Sequence, residues 1–308
     1  MTPLIASPRI AIVGTGAVGC YYGGRLAQHG ADVHFLLRSD YEVIREHGLR
    51  VHSHEGDFHL EKVNAHRSAA DIGPCDLVIV AMKATANDAL LTLLPPLLQE
   101  QTMILTLQNG LGCDDYLARQ FGERRVLGGL CFVCINRTAP GVIEHLAQGH
   151  ISLGEYSGGP RDRTRAIAAL FKASRIPCSI EDSLLTARWK KLVWNIPFNG
   201  LSIAAGNKDT AAILADPALE QRVRVLMREI IDTAGRLGHS IPLTLIDSMI
   251  ERTRTMSAYK PSSLIDHLAG REVELDAIWS EPLRRAHAKG IAMPELERLH
   301  AELRALLK

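Results

Sequence analysis

Short apolar runs alternate with amphipathic stretches through the first third of the chain. Arg9–Val13 reads as a strand rich in β-branched residues and ends in glycines. Ala17–Gln28 predicts a helix that His29-Gly30 closes. Asp32–Leu37 predicts a second strand and Tyr41–His47 a short helix, while Leu49–Val63 has the pattern of a polar hairpin turning at Glu55-Gly56-Asp57. Asp76–Ala81 and Thr102–Leu107 are apolar without interruption, the mark of strands covered on both faces. A helix is expected between them over Asn87–Leu98, cut short by Pro95-Pro96. Strands alternating with helices imply a parallel, doubly wound sheet.

The pattern changes after Arg125. Val126–Ile135, Gly141–His145 and His150–Leu153 predict short strands, joined by turns at Ala139-Pro140-Gly141 and Gln148-Gly149. They read as an antiparallel or mixed extension of the sheet. Arg163–Ser174 predicts a helix and Ile176–Ile180 a last strand. From Ser183 onward strand patterns vanish. Asp216-Pro217 is a helix start, with the acid as cap and proline at the first helical position. Val223, Leu226, Ile230 and Leu237 follow at helical spacing, and Pro294 opens a final helix bearing Leu296, Leu299, Leu303 and Leu306. The fold class expected is α/β, with a Rossmann-type sheet domain over residues 1–182 and an all-helical domain over 183–308.

Composition narrows the functional classes. The 308 residues are 46% hydrophobic and 22% charged, and 35 Lys and Arg against 34 Asp and Glu leave a formal charge of +1. That balance argues against nucleic-acid or membrane-surface partners, which select clearly basic surfaces. No apolar run is long enough for a membrane span, and no signal peptide is read at the start, so a cytoplasmic location is expected. Six cysteines are too sparse for a disulfide scaffold. Cys131 and Cys134 fall three apart in a strand, hence on opposite faces, and read as free thiols. The scattered histidines suggest no metal set; His52 and His54 fit a solvated hairpin.

The first strand runs directly into Gly14-Thr15-Gly16-Ala17-Val18-Gly19, a G-x-G-x-x-G motif with a strand before it and a helix after it. Such a loop lets backbone approach a pyrophosphate, which then sits on the helix N-terminus among unpaired N–H groups. Where an NAD site carries an acid at the end of the second strand, this chain has Leu37-Arg38-Ser39. A guanidinium suits a 2′-phosphate, so NADP is expected over NAD. Asp40 is the acid an NAD reading would need.

Three further segments carry candidate chemistry. Lys83 and Asn109 each follow a buried strand, at the carboxyl edge where doubly wound folds bind ligands. On a helix, Lys191, Asn195 and Asn199 recur at i, i+4 and i+8 and share one face. A lysine buried there would have a lowered pKa and serve as a proton donor near neutrality. An ordinary amphipathic face, with Lys190 and Lys191 both in solvent, is the competing reading.

On these segments the chain resembles the ketopantoate reductase family (2-dehydropantoate 2-reductases) over nearly its full length. The resemblance rests on Gly14–Gly19, Lys83-Ala84, Gln108-Asn109-Gly110, Lys191-Leu-x-x-Asn195-x-x-x-Asn199, and Lys260-Pro-Ser-Ser-Leu-x-Asp266 with Ala269-Gly-Arg-x-x-Glu274-x-Asp276. It implies hydride transfer from NADPH to a 2-oxo acid, giving pantoate on the route to pantothenate and coenzyme A. It further implies Lys191 as catalytic acid, with Asn109, Asn195 and Asn199 as substrate or cofactor amides. Glu274 would bind the substrate hydroxyl and lie at the cofactor, and Ser262 would contact the substrate carboxylate, with Ser263 as its neighbouring alternative. Arg38 and Lys83 match cofactor-contacting positions. A homodimer is compatible with the resemblance.

The chemistry fits these residue types. Hydride reaching a ketone carbon leaves negative charge on oxygen, which an ammonium stabilises and then protonates. Amides align substrate and cofactor without altering charge. The chain also departs from the family. Pro197 removes a helical hydrogen bond between the two asparagines. Trp194 and Phe198 flank them, and the aromatic that often follows the strand-end lysine is absent from Lys83–Asp88. These departures leave open a related 2-oxo acid or opine-type dehydrogenase, and a non-catalytic NADP-binding sensor stands as the reading from another class.

Overall fold

The computed structural model describes residues 7–256 and 258–307. They divide into two compact units. One holds the described residues up to Gln108 together with Cys113–Leu184; the other holds Asn109–Gly112 and the described residues from Leu185 onward.

The first unit is built on a single sheet. Its strands are β1 (Arg9–Val13), β2 (Asp32–Leu36), β3 (Leu49–Ser53), β4 (Phe58–Leu60), β5 (Asn64–His66), β6 (Leu77–Val80), β7 (Met103–Thr106), β8 (Val126–Ala139), β9 (Val142–Glu155) and β10 (Cys178–Ile180). Their order is β4-β3-β9-β8-β7-β6-β1-β2-β5, with β10 on β9. From β8 to β5 every pairing is parallel. Parallel neighbours need crossovers, and α1 (Ala17–Gln28) makes the one between β1 and β2, followed by α2 (Tyr41–His47) and α3 (Ala69–Ile72). β6 and β7 are buried at every position, as two-sided strands must be.

The mixed extension is present but differs in detail. Instead of three short strands, β8 and β9 run fourteen residues each as one antiparallel hairpin. Gln148-Gly149 is not a turn between strands. Gln148 pairs with Val133 and His150 with Phe132, so Gly149 is the extra residue of a bulge. β9 also pairs in parallel with β3 and β10. The helix expected over Asn87–Leu98 is broken into a 3-10 turn (Ala84–Ala89), one α turn (α4, Leu90–Leu93) and a second 3-10 turn (Pro95–Leu97); the paired prolines end the α turn by removing the donors that would reach residues 91 and 92. The three-residue β5, the one-turn α3, helix α5 (Cys113–Phe121) and the 3-10 turn Glu123–Arg125 have no counterpart among the elements expected from the sequence. α6 (Asp162–Ala173) leads into β10.

The second unit is helical among the described residues. α7 (Leu184–Ala204) starts at the boundary, and α8 (Thr210–Ala215), α9 (Pro217–Arg236), α10 (Leu245–Arg254), α11 (Ser262–Leu268), α12 (Glu281–His287) and α13 (Pro294–Leu306) follow. The Asp216 carboxylate accepts Ala218 N–H at 2.9 Å and Leu219 N–H at 3.3 Å, capping α9. Trp189 and Trp279 are completely buried in the core, along with Val223, Leu226 and Ile230 of α9. Leu111 belongs to this same core and is 2% exposed. Burying such a side chain contributes about 1.5–3 kcal/mol, enough to hold the short Asn109–Gly112 segment in this unit.

Candidate active site

In the sheet unit, the glycine loop leaves β1 at Gly14. Its φ of +102° lies in the region that favours glycine, and a Cβ would stand 2.3 Å from Met82 N. A Cβ on Gly19 would stand 2.1 Å from Gly14 O, so that residue lets helix pack on strand. Gly16 is different: a Cβ there would meet no protein atom within 4 Å. Nothing in the chain requires glycine at this exposed position, whereas a phosphate drawn against the backbone would. Gly16 precedes α1 at its cap position with no side-chain cap, and the first turn carries no acid, so its N-terminal donors face no carboxylate of their own helix. Ala17 and Val18 form that first turn. Cys20 lies beneath, its thiol donating to Thr15 O at 3.3 Å, and burial pushes its pKa up to about 12. It therefore adds no negative charge under the loop. These features fit a dinucleotide pyrophosphate.

Thr15 Oγ1 donates to Leu36 O at 3.1 Å and ties the loop to the end of β2. Arg38 is exposed two residues further on. Asp40, the acid an NAD site would use, is buried and occupied. Its carboxylate accepts Arg137 Nη1 at 2.9 Å, Gly141 N–H at 3.2 Å and Ser39 Oγ at 2.8 Å. Lys83 is half-buried just beyond β6 and opens the following 3-10 turn. Gln108, beyond β7, is buried and fixed by Asn87 Oδ1 at 2.7 Å and Thr106 Oγ1 at 3.0 Å.

In the helical unit, α7 is one continuous helix through Pro197. Lys191 is half-buried while Lys190 is exposed, so the two lysines are not equivalent. Lys191 Nζ donates to Asn109 Oδ1 at 2.8 Å. Asn195 and Asn199, one and two turns along, are buried at 7% and 2% exposure. Asn199 Oδ1 accepts Ser263 N–H at 3.0 Å and Ser262 Oγ at 3.5 Å. Ser263 is buried, with its backbone N–H committed to that contact, while Ser262 is exposed. Glu274 is half-buried and lies just before a π turn at Asp276–Ser280. Phe198 is fully buried in the core, and Trp194 stacks on it at 5.0 Å and donates its indole N–H to Thr253 Oγ1 at 2.9 Å. The pair thus packs the helix inward.

Outside these regions the cysteines are free thiols, and among the described residues no group of three or more His, Cys, Asp or Glu is arranged to hold a metal ion. Among the same residues no helix is long and apolar enough to cross a membrane. Two features of the site escaped the sequence reading. One is the π turn, which Pro282 signals only weakly; the other is the docking of Asn109–Gly112 with the helices, for which buried Leu111 is the sole local hint.

Comparison with known proteins agrees with this arrangement. Residues 10–158 match the family model described as "Ketopantoate reductase PanE/ApbA", and residues 183–307 match that of its C-terminal domain. The chain is 42% identical to a 2-dehydropantoate 2-reductase of Nostoc sp., over 97% of this chain and 95% of that one. A crystal structure of 2-dehydropantoate 2-reductase from Geobacter metallireducens superposes with a TM-score of 0.94 at 46% identity, covering 96% of this chain and 99% of that one. One from Methylococcus capsulatus gives 0.89 at 35% identity, covering 96% of each. With both halves matched and this level of identity along almost the whole chain, the protein belongs to the ketopantoate reductase family of oxidoreductases acting on CH–OH groups.

Proposed function

We propose that this protein reduces 2-dehydropantoate to pantoate with NADPH, and that Lys191 Nζ provides the proton. The observation that carries the reading is the 2.8 Å bond from Lys191 to Asn109, on a helix face that also bears Asn195 and Asn199. A solvated lysine would have no reason to be half-buried against an amide. Here Asn109 Oδ1 accepts one N–H of the ammonium and restricts it to one rotamer, the alignment a proton donor needs.

Gly14–Gly19 and the first turn of α1 would hold the pyrophosphate, and Arg38 and Lys83 the phosphate on the ribose. Asn109 and Glu274 are assigned to the cofactor as well as the substrate. When bound, NADPH supplies the hydride for the ketone carbon. The Lys191 ammonium stabilises the charge that develops on the ketone oxygen and passes that oxygen a proton from Nζ. Two electrons and one hydrogen arrive at carbon, one proton arrives at oxygen, and the substrate carboxylate is unchanged. Ser262, exposed beside Asn199, donates to that carboxylate, and Glu274 accepts from the distal hydroxyl. Asn195 and Asn199, on the face that bears Lys191, supply amides that align substrate or cofactor. The engagement of Asp40 by Arg137 and Gly141 supports NADPH over NADH, since it leaves Arg38 as the charged group at the end of β2. The same reading assigns the protein to pantothenate biosynthesis in the cytoplasm, acting as a homodimer.

Incubation with NADPH and a panel of 2-oxo acids, followed by nicotinamide absorbance, tests this. Preference for 2-dehydropantoate is expected. Preference for another acid would make the protein a sibling dehydrogenase, and tight NADPH binding with no turnover would make it a sensor. Replacing Arg38→Asp should reduce the NADPH-to-NADH preference roughly 10- to 100-fold, the worth of a charged hydrogen bond. An unchanged ratio would exclude Arg38 from the 2′-phosphate.

A further inference from the structure

The π turn at Asp276–Ser280 has a specific hydrogen-bond consequence. Glu281 N–H bonds to Asp276 O, five residues back, where an α-helix would have directed it to Ala277 O. The next donor in the same register would be residue 282, which is proline and has no N–H. Neither helical register therefore brings Ala277 O a donor. It accepts instead the N–H of Leu111, at 2.9 Å, from the segment that carries Asn109. Gly110 fits flush against the same peptide. Its φ is +80°, and a Cβ there would lie 2.3 Å from Ala277 O and 2.5 Å from its carbonyl carbon.

The turn has a second attachment. Trp279, completely buried, donates its indole N–H to Ile196 O at 3.1 Å. Ile196 lies in α7 between Asn195 and Asn199. A Cβ on Gly200 would come within 3.0 Å of the indole nitrogen, so glycine there gives the ring room. One turn thus grips both partners of the Lys191–Asn109 bond, the loop through Ala277 and the helix through Trp279.

We propose that this π turn, in which Pro282 withholds the next donor from Ala277 O, is the positioning element of the proton donor. Ala277 holds the loop and Trp279 the helix that carry the Lys191–Asn109 pair; they set its distance, and so act through Lys191. The inference rests on the reductase reading above for its kinetic consequence, but the grip itself is testable without turnover.

The test is Pro282→Ala. The new N–H offers Ala277 O an intrahelical donor in competition with Leu111. Alanine keeps the helix, and because Pro282 is buried the lost ring contacts should lower the melting temperature by only a few degrees, so the variant folds. Hydrogen exchange at the Leu111 amide should accelerate at least about 10-fold, as expected when an amide loses its partner. In steady state, kcat should drop roughly 10- to 100-fold, the cost of a misplacement of order 1 Å, while KM for NADPH stays unchanged. Gly110→Ala attacks the same contact from the loop, and Trp279→Phe removes only the indole donor on the helix side; both should give the same split of kcat from KM. Wild-type exchange at Leu111 in Pro282→Ala would overturn the proposal, as would faster exchange with undiminished kcat. If the wild-type protein turns over no 2-oxo acid, the reductase reading fails by itself, and the Leu111 exchange rates still decide whether Pro282 controls the grip.

Discussion

Lys191 Nζ and Asn109 Oδ1 meet at 2.8 Å although 82 positions separate them in the chain. The pair turns a surface-type residue into an oriented donor. Lys191→Ala should lower kcat at least ~10²-fold, the range of a lost general acid. Asn109→Ala should cost less, roughly 10-fold, because the ammonium remains and only its alignment is lost. Steady-state rates with NADPH and the preferred 2-oxo acid check both. A Lys191→Ala enzyme of near-normal kcat would remove the lysine from the chemistry.

The three glycines of the loop should separate folding from binding. Gly14→Ala forces a side chain to within 2.3 Å of Met82 N at φ +102° and should lower the melting temperature by several degrees. Gly16→Ala meets no protein atom. It should melt within a degree or two of wild type, since surface changes of this kind stay near ±0.5 kcal/mol, yet weaken NADPH binding at least ~10-fold. Thermal denaturation and a fluorescence titration distinguish the two. Wild-type affinity in Gly16→Ala would mean that the pyrophosphate lies elsewhere.

Asn199 and Ser262 should divide in the same manner. Asn199 Oδ1 accepts the buried Ser263 N–H at 3.0 Å. Asn199→Ala strands that donor and should cost about 1–3 kcal/mol in urea unfolding. Ser262 is exposed, so Ser262→Ala should leave stability unchanged and raise KM for the 2-oxo acid. A Ser262→Ala enzyme with unaltered KM would shift the carboxylate contact to another residue.

The π turn carries its own pH signature. Arg284 reaches both oxygens of Asp276, at 2.7 and 2.8 Å, and these hydrogen bonds hold the carboxyl pKa below its ordinary value of 3.8. A depressed carboxyl favours the folded state above the ordinary value, and that contribution is lost as pH falls through the depressed one. Asp276→Asn should therefore be slightly less stable than wild type at pH 7 and indistinguishable from it once the native carboxyl is protonated. Because this side chain is 73% exposed, solvent screening keeps the difference small. Denaturation at several pH values measures it; a gap that widens toward acid would contradict the assignment.

What could be read from the linear chain was whatever local chemistry dictates. The buried strands announced themselves because two-sided burial needs unbroken apolar runs, as in Leu77–Val80. The glycine loop was legible because a tight strand-to-helix turn needs residues without side chains at fixed intervals, as at Gly14 and Gly19. The face shared by Lys191, Asn195 and Asn199 follows from helical periodicity alone. Partners distant in sequence left no such trace. Only the folded chain shows that Asp40 is consumed by Arg137, that Gly149 is a bulge and not a turn, and that Asn109–Gly112 belongs with the helical residues that resume at Leu185. The π turn is the clearest case. Pro282 marks a missing donor, but which group takes the freed carbonyl of Ala277 depends on what three-dimensional packing brings to it, here the Leu111 amide. Periodicity reports the face a residue occupies; the hydrogen-bond partner waiting on that face is decided by the tertiary fold.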